Sequence, residues 1–284
     1  MNILDLFSGI GGMSLGFLAA NYDDYDFTKF PSEQICENDG FFKTIAFCEI
    51  NGFNWCILKR HFTKPDWMGE KNPQFFGDIR HLKADMLDES VDIITGGFPC
   101  QDLSVAGQKA GIDGERSGLF SEILRLADET KAKYILLENS VELIRNKRYY
   151  GVFANRLRDY GYEHEAFLFK ASDFGYPHQR ERAYVIAYTV PLGRGNGFKE
   201  IFARHAISNQ LKGQEQSRCN SLCNRVANLR KGRCKPKTGL RDFRNDNGIS
   251  DWVERTQSLG NALIPAIVTH FARAIKEIEK GENK

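Results

Sequence analysis

The chain has 284 residues, of which 42% are hydrophobic and 27% are charged, a composition typical of a globular protein with one large core and room for a small second lobe. It contains no run of about 18 apolar residues, so no membrane-spanning helix is predicted. The N-terminus lacks the pattern of a secretory signal and the seven cysteines are an odd number, so reduced thiols in a cytoplasmic protein are expected.

The net charge of +2 conceals an uneven distribution of charged residues. Residues 190–245 carry thirteen Lys or Arg and three Asp or Glu, a net charge of +10, whereas the remaining 26 basic and 34 acidic residues leave a net charge of −8. A basic segment on an acidic body is typical of a protein that binds a polyanion. A solvated basic loop without a partner would have the same composition, so both interpretations stay open at this point.

Short apolar runs alternate with stretches of helical periodicity up to residue 189. Seven runs predict β-strands: MNILDLF, TIAFCEI, QFFGDI, VDIITGG, KYILLEN, HEAFLF and RAYVIAYTV. Apolar residues three and four apart predict helices between most of them, in GMSLGFLAA, NWCILKRHF, LFSEILRLADE and YGVFANRLRDYG. This alternation predicts an α/β fold built on a doubly wound, mostly parallel, seven-stranded sheet of the Rossmann-like kind.

The regular pattern stops at Pro191. From there to about Asp251 polar and basic residues dominate, and no helix or strand is predicted. Periodicity returns in SLGNALIPAIVTHFARAIKEIEK, which predicts a final helix after a Gly-Asn turn. The predicted organisation is a main domain of residues 1–189, completed by residues 252–284, and a small, irregular lobe formed by residues 190–251.

Polar residues follow the carboxyl ends of five predicted strands, which is the edge where doubly wound sheets bind ligands. In chain order they are Asp5 with Phe7, Glu49, Asp78, Cys100, and Glu138 with Asn139. Any one of them is compatible with a structural cap or a solvated turn residue. Their occurrence at one edge of the sheet instead predicts a functional site there.

The first turn, DLFSGIGGMSLGF, predicts a site for a nucleoside cofactor. Gly9 and Gly11 would let the backbone approach a ligand at the N-terminus of the first helix, a pattern compatible with NAD, FAD or another nucleoside. Glu49 is the acid expected to hold a ribose diol. In GDIR, Asp78 would accept a hydrogen bond from an adenine amine and Ile79 would cover a ring face. Exposed strand-end carboxylates are the alternative interpretation for both acids.

The segment GGFPCQDLS presents a single cysteine, Cys100, directly after Pro99. A free cysteine is most often a small buried hydrophobe. Here the preceding Gly96 and Gly97, the polar residues that follow, and the glycine-rich stretch SVAGQKAGIDGERSGLF favour an accessible thiolate nucleophile beneath a closing loop.

Together these motifs resemble those of the cytosine-C5 DNA methyltransferase family over nearly the whole chain except residues 190–245. DLFSGIGGMSLGF is similar to the cofactor motif, GGFPCQDLS to the Pro-Cys-Gln nucleophile motif, LLENS to the Glu-Asn motif, PHQRERAYVIA to the Arg-x-Arg motif and QSLGNALIPAIV to the last motif. Ser140 stands where the family usually has valine, and His178 stands where it has glutamine. The arginine-containing motif that usually precedes the last one has no clear copy.

The resemblance implies a class I methyltransferase that moves the methyl group of S-adenosylmethionine to C5 of a cytosine flipped out of double-stranded DNA, with S-adenosylhomocysteine as product. Cys100 would bond covalently to C6, Glu138 would share a proton with N3, Arg182 would bind O2, and Arg180 would support a loop or a phosphate. The cofactor contacts implied by the resemblance are Phe7, Gly9, Gly11, Glu49, Asp78, Ile79, Leu119, Asn261 and Leu263. The basic lobe would recognise the DNA target.

Three other functions are weighed against this one. A tRNA cytosine-5 methyltransferase of the same fold is the main alternative. A catalytically silent DNA-binding module would be expected to have lost Cys100, Glu138 or Arg182, and all three are present. An NAD-dependent dehydrogenase would leave Cys100 and the basic lobe unexplained.

Cys219, Cys223 and Cys234, with His205 nearby, do not have the spacing of a strong zinc site, so no metal is expected. The resemblance further implies a monomeric protein of the cytoplasm, encoded by a bacterium or a phage. A companion restriction endonuclease is compatible with the sequence, which does not require one.

Overall fold

The computed structural model describes residues 1–27, 37–63, 71–99, 118–174, 176, 178–190, 197–211 and 263–281. The strands in these ranges are β1 (Asn2–Leu6), β2 (Lys43–Cys48), β3 (Gln74–Phe76), β4 (Ile93–Gly96), β5 (Tyr134–Asn139), β6 (Glu163–Lys170) and β7 (Glu181–Tyr188). The helices are α1 (Gly12–Ala19), α2 (Gly52–Phe62), α3 (Gly118–Thr130), α4 (Glu142–Arg145), α5 (Lys147–Asp159), α6 (Phe198–Leu211) and α7 (Pro265–Lys280). None of the helices in these ranges is both long enough and apolar enough to cross a bilayer.

All seven strands form one sheet, in the order β3-β2-β1-β4-β5-β7-β6. β1 to β5 run parallel, and β7 is antiparallel to both of its neighbours, β5 and β6. The seven predicted strands and the mostly parallel, doubly wound sheet are therefore confirmed. Because the strand order reverses between β1 and β4, the crevice outside their carboxyl ends is the expected ligand site.

The sheet is covered on both faces, as the near-continuous apolar strands require. Leu4 and Leu6 of β1 pack into a layer that contains the apolar residues of α3 and α5. Ile3 points to the opposite layer, which α1, α6 and α7 complete. The alternation of side chains along β1 thus divides the core into two layers, and the crevice opens at the sheet edge between them.

The prediction that regular structure is absent after Pro191 is wrong for α6. Phe198, Ile201 and Phe202 form an apolar stripe at helical spacing, and all three are buried against the core. The stripe covers little more than one turn and is followed by polar residues, so it did not stand out in the sequence. Packing against Phe271 of α7, with a ring separation of 4.5 Å from Phe202, stabilises the helix here.

The start of α6 is held by β6. The carboxylate of Glu165 accepts hydrogen bonds from the backbone N–H groups of Phe198 and Lys199, at 2.7 and 3.0 Å. These N–H groups belong to the first turn and have no partner within the helix. A negative charge at this end also interacts favourably with the helix dipole. α6 therefore packs as part of the main body rather than as part of an irregular lobe.

The predicted final helix is confirmed as α7, which begins at Pro265; the Gly-Asn turn predicted before it lies outside the described residues. α7 packs closely on α1. The hydroxyl of Thr269 donates to the carbonyl oxygen of Gly16 at 3.0 Å. Leu263, just before α7, lies 3.0 Å from the position that a Cβ on Gly12 would occupy. The end of the chain is thereby brought to the first turn, next to the crevice.

Candidate functional site

The carboxyl ends of neighbouring strands are joined by a chain of contacts. The backbone N–H of Gly9 donates to Glu49 at 2.7 Å, and the backbone N–H of Glu49 donates to Phe76 at 2.9 Å. On the other side of β1, Gly97 lies beside Glu138, since a Cβ on Gly97 would stand 3.2 Å from Oε2 of that carboxylate. These contacts bring Gly9, Glu49 and Phe76 together on one side of β1, and Gly97 and Glu138 on the other.

The first turn has an unusual backbone. Gly9 and Gly11 have φ angles of 54° and 86°, and Phe7 has a φ of 51°, which is rare for a non-glycine residue. Such strain of about 1 kcal/mol or more is typical of ligand-binding turns. A Cβ on Gly9 would meet nothing within 4 Å, so the space above this turn is open to a ligand.

Glu49 directly follows β2 and is nearly buried. Its Oε2 accepts from the N–H of Gly9 at 2.7 Å, and its Oε1 accepts from the N–H of Asn51 at 2.8 Å. A carboxylate has about four acceptor positions, so roughly two remain for the hydroxyls of a ribose. The two backbone contacts fix the orientation of the carboxylate before any ligand arrives.

Ile50 is a feature of this site that the sequence reasoning missed. Its side chain is 73% exposed, directly after Glu49 at the mouth of the crevice. An exposed large aliphatic residue beside a diol-binding acid would cover the flat face of a nucleoside base. The available signal was an apolar residue immediately following the strand-end acid.

Of the remaining predicted cofactor residues, Asp78 follows β3 at the same edge. Asp78 pairs with Arg80 through two hydrogen bonds to Nε, both of 3.0 Å, and one to Nη2 of 2.6 Å. Hydrogen bonding to Arg80 lowers the pKa of Asp78 to about 2. Ile79 is buried in the core layer against which the half-buried Leu119 packs, whereas the half-buried Leu263 packs against the opposite layer. Asn261 lies outside the described residues.

These residues fit an adenosyl cofactor. Glu49 supplies oriented acceptors for a diol, and the turn around Gly9 leaves open space at the backbone. Phe7, Leu119 and Leu263 supply half-buried apolar surface. Concave, mostly apolar sites with a few oriented polar groups are the usual form of cofactor pockets.

Glu138 occupies the end of β5 and is only 9% exposed. Nε of Arg182 lies 3.0 Å from its Oε1, close enough for an ion pair. The angles do not make a hydrogen bond, and within the described part of the chain Oε1 has no hydrogen-bond partner. Burial raises the pKa of Glu138, and Arg182 and Arg180 offset only part of that rise. The carboxyl group thus retains a capacity to bind a further polar group.

The alternation of β7 explains the Arg-x-Arg motif. Arg180 and Arg182 are two residues apart and both interact electrostatically with Glu138. Glu181 between them instead accepts from Nη2 of Arg145 at 2.7 Å. Glu181 is therefore paired with Arg145, while both arginines act on the carboxyl group of Glu138.

Asn139 holds the turn that leads to Cys100. Its Nδ2 donates to the carbonyl oxygen of Phe98 at 3.1 Å, and the Phe98 ring stacks on Phe120 with centroids 5.5 Å apart. Pro99 is the last described residue of this segment. The predicted nucleophile Cys100 and residues 101–117 lie outside the described residues.

The predicted absence of a metal concerns residues that are mostly not described, because Cys219, Cys223 and Cys234 lie outside the described ranges. His205 is described, and its Nε2 lies 2.8 Å from Oε2 of Glu277. Among the described residues, no three His, Cys, Asp or Glu side chains come together in a way that would hold a metal ion.

Comparison with known proteins places this geometry in a family. A family model described as C-5 cytosine-specific DNA methylase matches residues 1–258. The chain belongs to this family. The type II methyltransferase M1.ScrFI of Lactococcus lactis subsp. cremoris is 35% identical over 189 residues, which cover 66% of this chain and 41% of that protein. M.NgoPII of Neisseria gonorrhoeae is 31% identical over 195 residues, covering 68% and 49%.

These matches span about half the length of the curated relatives, 41% and 49% for the two named. The S. pombe Dnmt2 methyltransferase structure is 23% identical, with a TM-score of 0.50 over 72% of this chain and 55% of that one. That likeness concerns the fold, and it agrees with the seven-stranded sheet described above. The family explains why the five motifs occur in one chain and in this order.

Proposed function

We propose that this protein is an S-adenosylmethionine-dependent DNA (cytosine-5) methyltransferase that acts on a cytosine flipped out of double-stranded DNA. The observation that carries the proposal is the buried Glu138 carboxyl group, which faces Arg182 at 3.0 Å in a chain of the cytosine-C5 family. Within the described residues, Oε1 of this carboxyl group accepts no hydrogen bond, and the guanidinium group of Arg182 lies next to it. Together they match the polar edge of a cytosine, N3 with N4 and O2.

The reaction needs a nucleophile because C5 of cytosine is itself unreactive. Addition of the Cys100 thiolate to C6 makes C5 electron-rich, and it requires a proton to be shared with N3. Glu138 is suited to that role because burial raises the pKa of its carboxyl group, which favours the protonated form. Arg182 would stabilise the charge that develops on O2.

Cytosine entry would open the ion pair between Glu138 and Arg182. Without a base, Arg182 Nε approaches Oε1 of Glu138 without a hydrogen bond to it. A bound cytosine would give the buried Oε1 a donor, and its O2 would give the guanidinium group an acceptor in place of the carboxylate. Removing Arg182 from the carboxylate would also favour the protonated form of Glu138.

S-adenosylmethionine supplies an electrophilic methyl group when it is bound. Glu49 would hold the ribose, with its carboxylate already oriented by Gly9 and Asn51. Phe7 and Ile50 would flank the adenosine, and Leu263 would close the site from the returning chain. The role of these residues is to bind and orient the donor next to C5.

We propose that residues 1–189, α6 and residues 252–284 form the catalytic domain. The target-recognition lobe, expected from the sequence at residues 190–251, would then begin after α6. Its Lys and Arg residues would bind phosphates and a few polar side chains would read bases. The energy of flipping, a few kcal/mol, would be supplied by these contacts.

The proposal is tested by methyl transfer from labelled S-adenosylmethionine to duplex DNA and to tRNA in parallel. We expect labelling of duplex DNA and none of tRNA; labelling of tRNA alone would support the alternative function. A duplex with 5-fluorocytosine at the target should form a covalent complex with the wild type but not with Cys100→Ser. A Cys100→Ser variant with normal turnover would overturn the proposed nucleophile.

We further propose a monomeric, cytoplasmic enzyme that modifies DNA in a type II restriction-modification system with a companion endonuclease. The names of the two curated relatives given above, both type II methyltransferases, support this proposal. Sedimentation should give one chain per particle. Bisulfite sequencing of host DNA after expression should reveal one methylated sequence motif, and that DNA should resist the companion endonuclease.

A further inference from the structure

A basic corner formed by Arg145, Lys147 and Arg148 lies where α4 meets α5. All three side chains are exposed. Between Glu142 and Arg148 the chain carries three basic residues and one acidic residue. This corner stands out because the chain outside residues 190–245 carries 26 basic against 34 acidic residues. The basic corner is therefore positively charged, although the chain outside residues 190–245 has a net negative charge.

The basic corner lies next to the pocket that would receive the cytosine. α4 begins three residues after Asn139, which ends β5. Nη2 of Arg145 lies 2.7 Å from Oε2 of Glu181, the residue that precedes Arg182. Arg182 in turn lies 3.0 Å from Glu138. Glu181 and Arg182 are adjacent in β7, so the two ion pairs lie on opposite faces of the sheet but at the same edge of it. The basic corner and the pocket therefore share that edge.

Within the part of the chain that the structure describes, neither Lys147 nor Arg148 forms an ion pair, whereas Arg145 pairs with Glu181. Lys147 and Arg148 occupy the first turn of α5, which has no acidic residue, although this end of a helix favours negative charge. By contrast, Arg156 and Arg158 lie in the last turn, where cations are favourable. Residues that lower the stability of the element in which they occur are expected mainly where a binding function requires them.

The surface beyond the corner is open to a partner. Gly151 follows Lys147 by one helical turn, and a Cβ placed there would meet nothing within 4 Å. A glycine inside a helix costs about 1 kcal/mol relative to alanine. No packing in the described chain accounts for it. Among the described residues nothing therefore covers the helix at Gly151, which leaves room there for the close approach of an extended polyanion.

We propose that the basic corner binds the sugar-phosphate backbone of duplex DNA beside the flipped nucleotide. This inference rests on the proposed function and adds a phosphate-binding surface on the catalytic domain itself. Arg145 is held in place by Glu181, while Lys147 and Arg148 act as cations that replace condensed counterions. Such contacts position the duplex and carry no sequence information.

The test is the salt dependence of DNA binding by the full chain with Lys147→Gln and Arg148→Gln combined. Glutamine keeps helix propensity and removes both charges. Each phosphate contact contributes about 0.9 to the slope of log K against log salt concentration, so we expect the slope to fall by about 1.8. The loss of affinity should be equal for duplexes of different sequence. Binding of S-adenosylhomocysteine should be unchanged, which shows that the variant is folded.

The matched control combines Lys131→Gln and Lys133→Gln, which removes the same charge next to the amino end of β5, at the opposite edge of the sheet. Its slope should equal that of the wild type. The inference is overturned if the wild type methylates and binds duplex DNA while the Lys147/Arg148 variant keeps the wild-type salt slope. It is also overturned if the Lys147/Arg148 variant and the Lys131/Lys133 control show the same decrease in the salt slope. A loss of affinity for tRNA but not for duplex DNA would also overturn it. A wild type that neither binds nor methylates duplex DNA would instead refute the proposed function, and this inference with it.

Discussion

Val268 occupies the space that a side chain on Gly16 would need. A Cβ built on Gly16 would stand 2.4 Å from the Cβ of Val268 and 2.7 Å from the carbonyl oxygen of Pro265. Real Cβ atoms do not approach so closely, so α1 and α7 can pack at this distance only because residue 16 is glycine. The close packing places Leu263 against the first turn, at the side of the crevice where we propose that the cofactor binds.

Gly16→Ala is expected to destabilise the protein, although alanine favours a helix. The added methyl group would push α7 away from α1, and overpacking of this kind typically costs about 1–3 kcal/mol. Urea denaturation measures the effect. Gly151→Ala is the matched control, because its Cβ would meet nothing within 4 Å, and a gain of about 0.5–1 kcal/mol is expected. Equal effects of the two substitutions would show that the α1–α7 contact is looser than described.

Gly97→Ala should reduce the rate of methyl transfer and leave cofactor binding intact. A Cβ at this position would stand 3.2 Å from Oε2 of Glu138, so the carboxyl group would have to move by a few tenths of an ångström. Small misplacements of a reacting group reduce rates by up to about 100-fold. Single-turnover kinetics would measure the change, with Gly52→Ala, whose Cβ meets no neighbour, as control. Wild-type rates in Gly97→Ala would argue against an acid role for Glu138.

Glu49→Gln is expected to weaken the binding of S-adenosylhomocysteine by about 10- to 100-fold, because a charged hydrogen bond to the ribose contributes about 1.5–3 kcal/mol. Glutamine has the same shape, but its amide nitrogen cannot accept from the N–H of Gly9 or Asn51. Isothermal titration calorimetry measures the affinity. Glu89→Gln, which removes a surface partner of Lys43, should bind as the wild type does. Unchanged affinity in Glu49→Gln would place the ribose elsewhere.

Asp5→Asn should flatten the dependence of stability on pH between about 4 and 7. Asp5 is fully buried between Ser14 and Thr95, whose hydroxyls donate to it at 2.6 and 2.9 Å. Burial raises the pKa of Asp5 to about 7, and the two hydroxyls offset only part of that effect. Since the folded-state pKa is raised, its contribution to stability is full at acid pH and is lost as the pH rises through about 7.

The side-chain amide of the Asp5→Asn variant would not titrate. The free energy of unfolding of the variant should therefore increase relative to that of the wild type as the pH rises. Urea denaturation at several pH values measures both proteins. Parallel pH profiles would show that Asp5 titrates in the folded protein as it does in the unfolded chain.

The sequence alone determined the strands, most of the helices and the strand-end residues, because these depend on local periodicity and on where an apolar run stops. Parallel strands collect their carboxyl ends at one edge, so Glu49 and Glu138 could be assigned to one site without coordinates. The motif order was specific enough to indicate the family. α6 was missed because its apolar stripe is short, and it becomes a helix through burial against Phe271 and capping by Glu165.

Only the tertiary structure decided which groups touch. Glu138 and Arg182 form an ion pair. Glu181, which directly precedes Arg182, instead forms an ion pair with Arg145. Gly16 and Gly97 are glycines because of Val268 and Glu138, which are distant in sequence. No local pattern encodes these pairs, since they depend on how the strands and helices pack. Most residues assigned to the site could therefore be named from the sequence, with Ile50 as an exception, whereas the contacts between them followed from the packing.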